Sequence, residues 1–466
     1  MKLNREIVRL AVPSILAGIT VPLVGMVDLA IVGHLGSGAA GSIGAAGGGI
    51  AGGVGAATLL GGIAIGTTIF DLVYWCFGFL RAGTGGVTAQ AFGRGDTRGE
   101  AEALVRPIGI ALAAGILLIA LQWLIVQAAF LFIKCSPEVR ELAEQYFYIR
   151  IWAAPATLSL FALKGWFIGM QNTAAAMAAD LTVNAVNILA SMALGFGLLF
   201  FPQMGFRGVA AGSVIAQWSG VLLCAVIILA RYRRIFSGYD WKDAFRGSLR
   251  PFFAMNRDLF IRSLGLIAVY IGFTVISARY GDTMLAVSAI LMKLLMIFSY
   301  FIDGFAYAGE ALTGRFIGEK SQDGVYSTIR GVFRWSAALA FIFIGVYWAL
   351  GTPLLQMMTS DAGVVEAGRQ FLPWLLVMPL IGCPAFIWDG IYIGATASEH
   401  MRNSSVLCAL GFFAAWFIGI GLFGRGISNA GAIHILMAAY FVHLAIRALY
   451  LTINYKKLRN QWIWTS

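Results

Sequence analysis

Leu10-AVPSILAGITVPLVGMVDLAIVGH-Leu35 is an apolar run that holds a single carboxylate, Asp28. It exceeds the roughly 20 residues that cross a bilayer as helix. An ionised side chain at bilayer depth costs roughly 3 to more than 10 kcal/mol, so such a residue defaults to function. The alternative, a structural hydrogen bond to a neighbouring helix, carries less weight. Asp28 therefore points first to an ion- or proton-coupled transporter.

Runs of this kind recur along the chain. The sequence predicts an all-α integral membrane protein with about twelve spans, near 8–35, 63–92, 104–133, 146–170, 174–201, 206–231, 258–280, 284–313, 330–358, 371–395, 403–423 and 429–455. Of the 466 residues, 59% are hydrophobic and 12% charged, with a mean hydropathy of +0.82. A soluble chain is about a quarter charged. The first run continues past signal-peptide length without a small-residue cleavage site, so the mature chain is expected to begin at Met1.

The net charge of +11 is topological and no sign of nucleic-acid binding. Lys2, Arg5 and Arg9 precede the first span, and Arg94, Arg98 and Arg106 follow the second. Arg231, Arg233, Arg234, Lys242, Arg246, Arg250, Arg257 and Arg262 lie between the sixth and seventh. Arg315, Lys320 and Arg330 follow the eighth, and Lys456, Lys457 and Arg459 follow the last. Alternating spans place all of them on one side, which the positive-inside rule makes cytoplasmic, with both termini. The five cysteines have no paired spacing and the four histidines are scattered, so no metal site is expected. No GxxxxGK[ST] loop supports ATP-driven transport.

The chain also repeats itself. Gly165-Trp-Phe-Ile-Gly169 is echoed by Gly390-Ile-Tyr-Ile-Gly394, an offset of 225 (390 − 165) that also places Ala89-Gln-Ala-Phe-Gly93 on Gly314-Arg-Phe-Ile-Gly318. Near the start, Asn4-Arg5-Glu6 matches Asn256-Arg257-Asp258 at an offset of 252 (256 − 4). The halves share a plan of six spans, and the first carries 27 extra residues (252 − 225) in the Gly/Ala-rich stretch 37–62. A thirteenth span there would send the Arg231–Arg262 cluster outside, so this stretch is read as an extracellular-side loop or a broken extension of spans one and two. The predicted organisation is two pseudo-symmetric six-helix lobes, 1–230 and 258–466, joined by a basic cytoplasmic linker, 231–257. Transporters of this design bind substrate between homologous halves and alternate access by rocking.

Pro13 and Pro22 lie on the helix of Asp28, where each removes a backbone hydrogen bond and allows a bend. Donors for Asp28 are expected from the fifth span, where Asn184, Asn187 and Ser191 share one helical face. Asp180, nearer the cytoplasmic end, is a weaker candidate, and Asp71 is read as interfacial. The second half has its own set: Lys293, Asp303 and Glu310 on the eighth span and Asp389 on the tenth. Asp389 and Glu310 either form an oxygen-rich cluster for Na⁺ or a cationic substrate, or belong to a buried salt-bridge network.

Four segments carry a family likeness: Pro22-Leu-Val-Gly-Met-Val-Asp-Leu-Ala-Ile-Val-Gly-His-Leu-Gly36, Phe79-Leu-Arg-Ala-Gly-Thr-Gly-Gly-Val-Thr-Ala-Gln90, Asp303-Gly-Phe-Ala-Tyr-Ala-Gly-Glu-Ala-Leu-Thr-Gly-Arg315 and Asp389-Gly-Ile-Tyr-Ile-Gly-Ala-Thr396. Together the chain resembles the multidrug and toxic compound extrusion (MATE) family, in its DinF-like branch. The resemblance implies twelve helices in two lobes, in the inner membrane of a prokaryote, exporting organic cations or other toxic compounds against inward H⁺ or Na⁺. It makes Asp28 the carboxylate that takes the coupling proton, Pro13 the bending proline and Asn187 an amide of the fifth-helix site. Asp389 matches a tenth-helix aspartate associated with cation binding in other branches. The chain departs from the pattern at Ser191, where relatives often carry a second carboxylate. A seventh-helix carboxylate is also missing, Tyr270 being the nearest polar residue.

Proton-coupled multidrug antiport is thus the leading expectation, by a monomer acting on small molecules amid membrane lipids, with no cofactor beyond the coupling ion. A flippase for a lipid-linked sugar or another amphipathic lipid is the alternative. Such proteins line the central cavity with basic residues, and the intramembrane candidates here are Lys164, Lys293, Arg81 and Arg279. No convergent nucleophile, base or metal set marks an enzyme.

Overall fold

A computed structural model describes residues 2–36, 56–198, 201–240, 242, 244, 250–359, 361–424 and 426–464. Of the Gly/Ala-rich stretch 37–62, residues 37–55 lie outside these, and from Ala56 the chain is helical. The helices of the first half are α1 (Lys2–Gly36), α2 (Ala56–Cys76), α3 (Phe79–Arg94), α4 (Thr97–Ala120), α5 (Gln122–Phe132), α6 (Pro137–Arg150), α7 (Ala154–Gly169), α8 (Thr173–Phe196) and α9 (Phe206–Arg231). The short α10 (Arg233–Phe236) follows. The second half holds α11 (Arg250–Ser277), α12 (Asp282–Gly318), α13 (Gln322–Met358), α14 (Ala362–Arg369), α15 (Leu372–Gly394), α16 (Ser398–Phe423) and α17 (Asn429–Trp464). Of the stretch 231–257 read as the linker, residues from Arg250 onward are helical, in α11.

Among the described residues, eleven helical segments are long and apolar enough to cross a membrane, with α2–α3 and α6–α7 each counting as one. Helix α1 adds the apolar run with Asp28 and stays helical through Pro13 and Pro22. The expected third span is α4 and α5, broken at Leu121. Phe132, Leu131, Trp348 and Met357 stand exposed on the outside of the bundle, as a lipid-facing surface requires. The chain is a multi-pass membrane protein.

Several helix starts are capped locally. Asp96 accepts from the Gly99 N–H at 2.9 Å before α4, and 225 residues later Ser321 accepts from the Gly324 N–H at 3.2 Å before α13. The residues just ahead of these caps, Gly95 and Lys320, both take left-handed backbone, φ +66° and +55°. Gln171 and Thr396 form a second such pair, at φ +59° and +55°. The sequence repeat is therefore a repeat of backbone conformation.

Packing repeats at the same offset. Helix α7 rests on α3, and a Cβ at Gly165 would strike the Arg81 carbonyl. Helix α15 rests on α12, where a Cβ at Gly390 would strike the carbonyl of Ala306, the counterpart of Arg81. Helices α3 and α12, each carrying one copy of the repeat, meet in the middle, and α1 also packs on α12. Gly165→Ala and Gly390→Ala are each expected to destabilise the protein by about 1–3 kcal/mol through overpacking. A thermal melt in detergent checks this, and an unchanged midpoint in both would refute the close-contact account.

Candidate functional site

The first-half site forms where α1 packs against α8. Asn187, itself buried, donates from Nδ2 to Asp28 Oδ1 at 2.9 Å, and Asp28 is half-buried. Asn184 does not reach Asp28. Its Nδ2 donates to Thr20 Oγ1 at 2.7 Å, eight residues earlier on α1 and so about 12 Å along the axis. Ser191, fully buried, donates to the Val209 carbonyl at 3.4 Å and contributes nothing to the carboxylate.

A basic residue missed by sequence reasoning completes this region. Arg150, at the end of α6, donates to Tyr146 Oη at 2.7 Å, and its guanidinium lies 5.2 Å from the Phe70 ring centre. It is an electrostatic neighbour of both Asp28 and Asp71. Lys293 faces Asp71 in the same way and is exposed. It therefore does not join Asp303, Glu310 and Asp389.

Those three acids border a cavity of about 310 Å³ that Trp75, Gly78 and Arg81 of the first half line together with second-half helices. Glu310 is fully buried and accepts from Arg81 Nη1 at 3.0 Å through Oε2, while the Arg81 guanidinium lies 4.5 Å from the Tyr307 ring centre. Asp389 accepts from Arg447 Nε at 3.0 Å through Oδ1. Its Oδ2 accepts from both Arg447 Nη2 and Arg262 Nη2. Asp303 lines the same space, with Arg81, Arg447 and Arg262 as its electrostatic neighbours. Of the two arrangements open from sequence, an oxygen cluster and an ion-pair network, the geometry matches the second, since guanidiniums already occupy the carboxylates of Glu310 and Asp389.

Arg262 reads as a linker charge in the sequence because it stands near the start of a span. It sits three turns inside α11, on the face of Ser263, Leu266 and Tyr270, which also line the cavity. Arg447 lies in the middle of α17, and its position inside an apolar run is the signal that marks it. Tyr270 lines this cavity and meets Trp75 edge-on at 5.5 Å. Arg279 lies exposed in the turn Ala278–Tyr280.

A second cavity of about 190 Å³ lies between α1, α7, α8 and α12, and Arg81, Tyr300, Asp303 and Tyr307 border both. Lys164 Nζ pairs there with Asp180 Oδ1 at 2.9 Å. The two voids thus share one wall, which carries the charges of Arg81 and Asp303.

The family model MatE matches residues 46–193 and 259–416. The chain is 33% identical over 463 residues to DNA damage-inducible protein F of Escherichia coli, covering 99% of this chain and 94% of that one. It is 21% identical over 375 residues to a probable multidrug resistance protein NorM of Thermotoga maritima, covering 79% of this chain and 75% of that one. In fold it is similar to the Vibrio cholerae MATE transporter VcmN in its bent form, with a TM-score of 0.79 and 16% identity, covering 99% of this chain and 98% of that one.

Proposed function

The chain belongs to the MatE family, a family of transporters and not of enzymes, and from that premise we propose that it is a proton-coupled antiporter exporting toxic amphipathic compounds. Residues 1–230 and 258–466 act as two lobes joined by the basic segment, with both termini in the cytoplasm. Asp28 is the coupling carboxylate. The observation that supports this is the 2.9 Å hydrogen bond from Asn187, a donor suited to the ionised form. A proton on Asp28 competes for that lone pair and loosens α1 from α8, and Pro13 and Pro22 give α1 the places to bend. Antiport follows if the lobe then prefers the opposite access state.

Transport under imposed gradients in proteoliposomes tests this reading. Efflux of a fluorescent amphiphile is expected under a pH gradient and absent under a Na⁺ gradient alone. Na⁺-driven efflux would overturn it. A lipid flippase is the second reading, favoured by the three arginines Arg81, Arg262 and Arg447 at the larger cavity. Movement of a labelled anionic lipid without any gradient would favour that reading instead.

Gln90 Nε2 donates to the Gly394 carbonyl at 3.0 Å and Gln171 Nε2 to the Ala311 carbonyl at 2.8 Å, so each half holds the other near Arg94 and Lys320. With those basic ends cytoplasmic, this is a closed cytoplasmic gate. Loss of two bonds of about 1 kcal/mol each in Gln90→Ala/Gln171→Ala is expected to raise the cytoplasm-open population about 30-fold. Spin labels at Arg98→Cys and Asp323→Cys, in protein freed of its five native cysteines, would read it as a longer interspin distance. An unchanged distance distribution would exclude the gate.

A further inference from the structure

We propose that the cavity bordered by Arg81, Arg262 and Arg447 binds the anionic head, carboxylate or phosphate, of an amphipathic substrate, with Asp389 as the internal group that the head displaces. One carboxylate, Asp389, is answered by two guanidiniums, Arg262 and Arg447. Arginine presents paired donors that match a planar oxyanion, which is the geometry seen at Arg447.

Exposure gives the direction. The Arg81 side chain is 20% exposed while its partner Glu310 is 0%, and Arg262 is 17% exposed against 11% for Asp389. The Arg81 and Arg262 guanidiniums are open to the void and Glu310 stands behind Arg81, whereas Arg447, at 7%, is covered by Asp389. The rest of the wall is mixed, with Leu266, Leu295, Met296 and Met378 beside Tyr270, Ser299 and His443, and the volume of about 310 Å³ suits the body of a small amphiphile. Three arginines and the three acids Asp303, Glu310 and Asp389 balance one another, so an incoming anion must take over the partners of one acid. Asp389 is the one held by two guanidiniums.

The inference rests on the transporter reading and not on proton coupling. Binding is measured without a gradient and with Asp28 intact, so failure here leaves antiport standing and failed antiport leaves this result standing. The protein in phosphatidylcholine nanodiscs is titrated with dansylglycine, a carboxylate, and with dansylcadaverine, an amine on the same fluorophore. Energy transfer from tryptophan, of which Trp75 lines the cavity, reports binding.

Dansylglycine is expected to bind and dansylcadaverine not to. Arg262→Gln should weaken the carboxylate about tenfold. Asp389→Asn removes the competing acid and leaves both arginines, so it should tighten the carboxylate about tenfold. A merely structural Asp389 predicts no such gain. Asp389→Asn that weakens dansylglycine or leaves it unchanged would overturn the proposal, as would equal binding of the amine. Phosphatidylglycerol added to the discs separates the sources: loss of dansylglycine binding assigns the head to a lipid, and undiminished binding assigns it to a free organic anion.

Discussion

Asp28→Asn is expected to abolish pH-driven efflux from proteoliposomes while leaving the protein folded. The substitution keeps size and shape, and the new amide oxygen still accepts from Asn187 Nδ2, which donates to Asp28 Oδ1 at 2.9 Å. What it removes is the ability to exchange a proton. Coupled flux should therefore fall to the level of protein-free liposomes, while gradient-free counterflow of the same substrate persists. That split separates a coupling role from a structural one, because a hydrogen bond serving only to join α1 to α8 would survive in the amide. Full pH-driven efflux by Asp28→Asn would remove the carboxylate from the mechanism and shift attention to Asp303, at the wall between the two cavities.

Asp28 stands out in the sequence because a lone acid in an apolar run carries a desolvation cost, and the fold adds its hydrogen bond with Asn187. Asn187 was legible as its partner because helical spacing put it on one face with Asn184 and Ser191. Spacing does not say which of the three lies level with the carboxylate, and only Asn187 does. The repeat was legible in its glycines, which recur where α7 and α15 rest on carbonyls of α3 and α12. Arg262 and Arg447 were not. Charge near a span end is read as topology, and Arg262 fell to that rule although α11 begins twelve residues earlier, at Arg250. No local pattern joins Arg81 to Glu310, which meet only because α3 packs on α12.

That ion pair carries the second large effect. Glu310 is the counterpart, at the 225-residue offset, of Gly85, and a Cβ at Gly85 would strike Glu310 Oε1, so the glycine of one copy makes room for the acid of the other. Arg81→Gln leaves a fully buried carboxylate without its partner and is expected to cost about 3–5 kcal/mol. Glu310→Gln should cost less, since Arg81 is partly open to the cavity and keeps its contact with the Tyr307 ring. The double variant Arg81→Gln/Glu310→Gln leaves neither member of this pair as an unpartnered buried charge and should be more stable than Arg81→Gln alone. Unfolding of all four proteins in detergent closes the cycle. A double variant that loses the sum of both single losses would show the two residues to be independent, and the ion pair would then not be what holds α3 against α12. A coupling of several kcal/mol would instead make the interface between the halves an electrostatic joint, strong while dry and weakened when water enters, which is the property an alternating carrier needs at its moving surface.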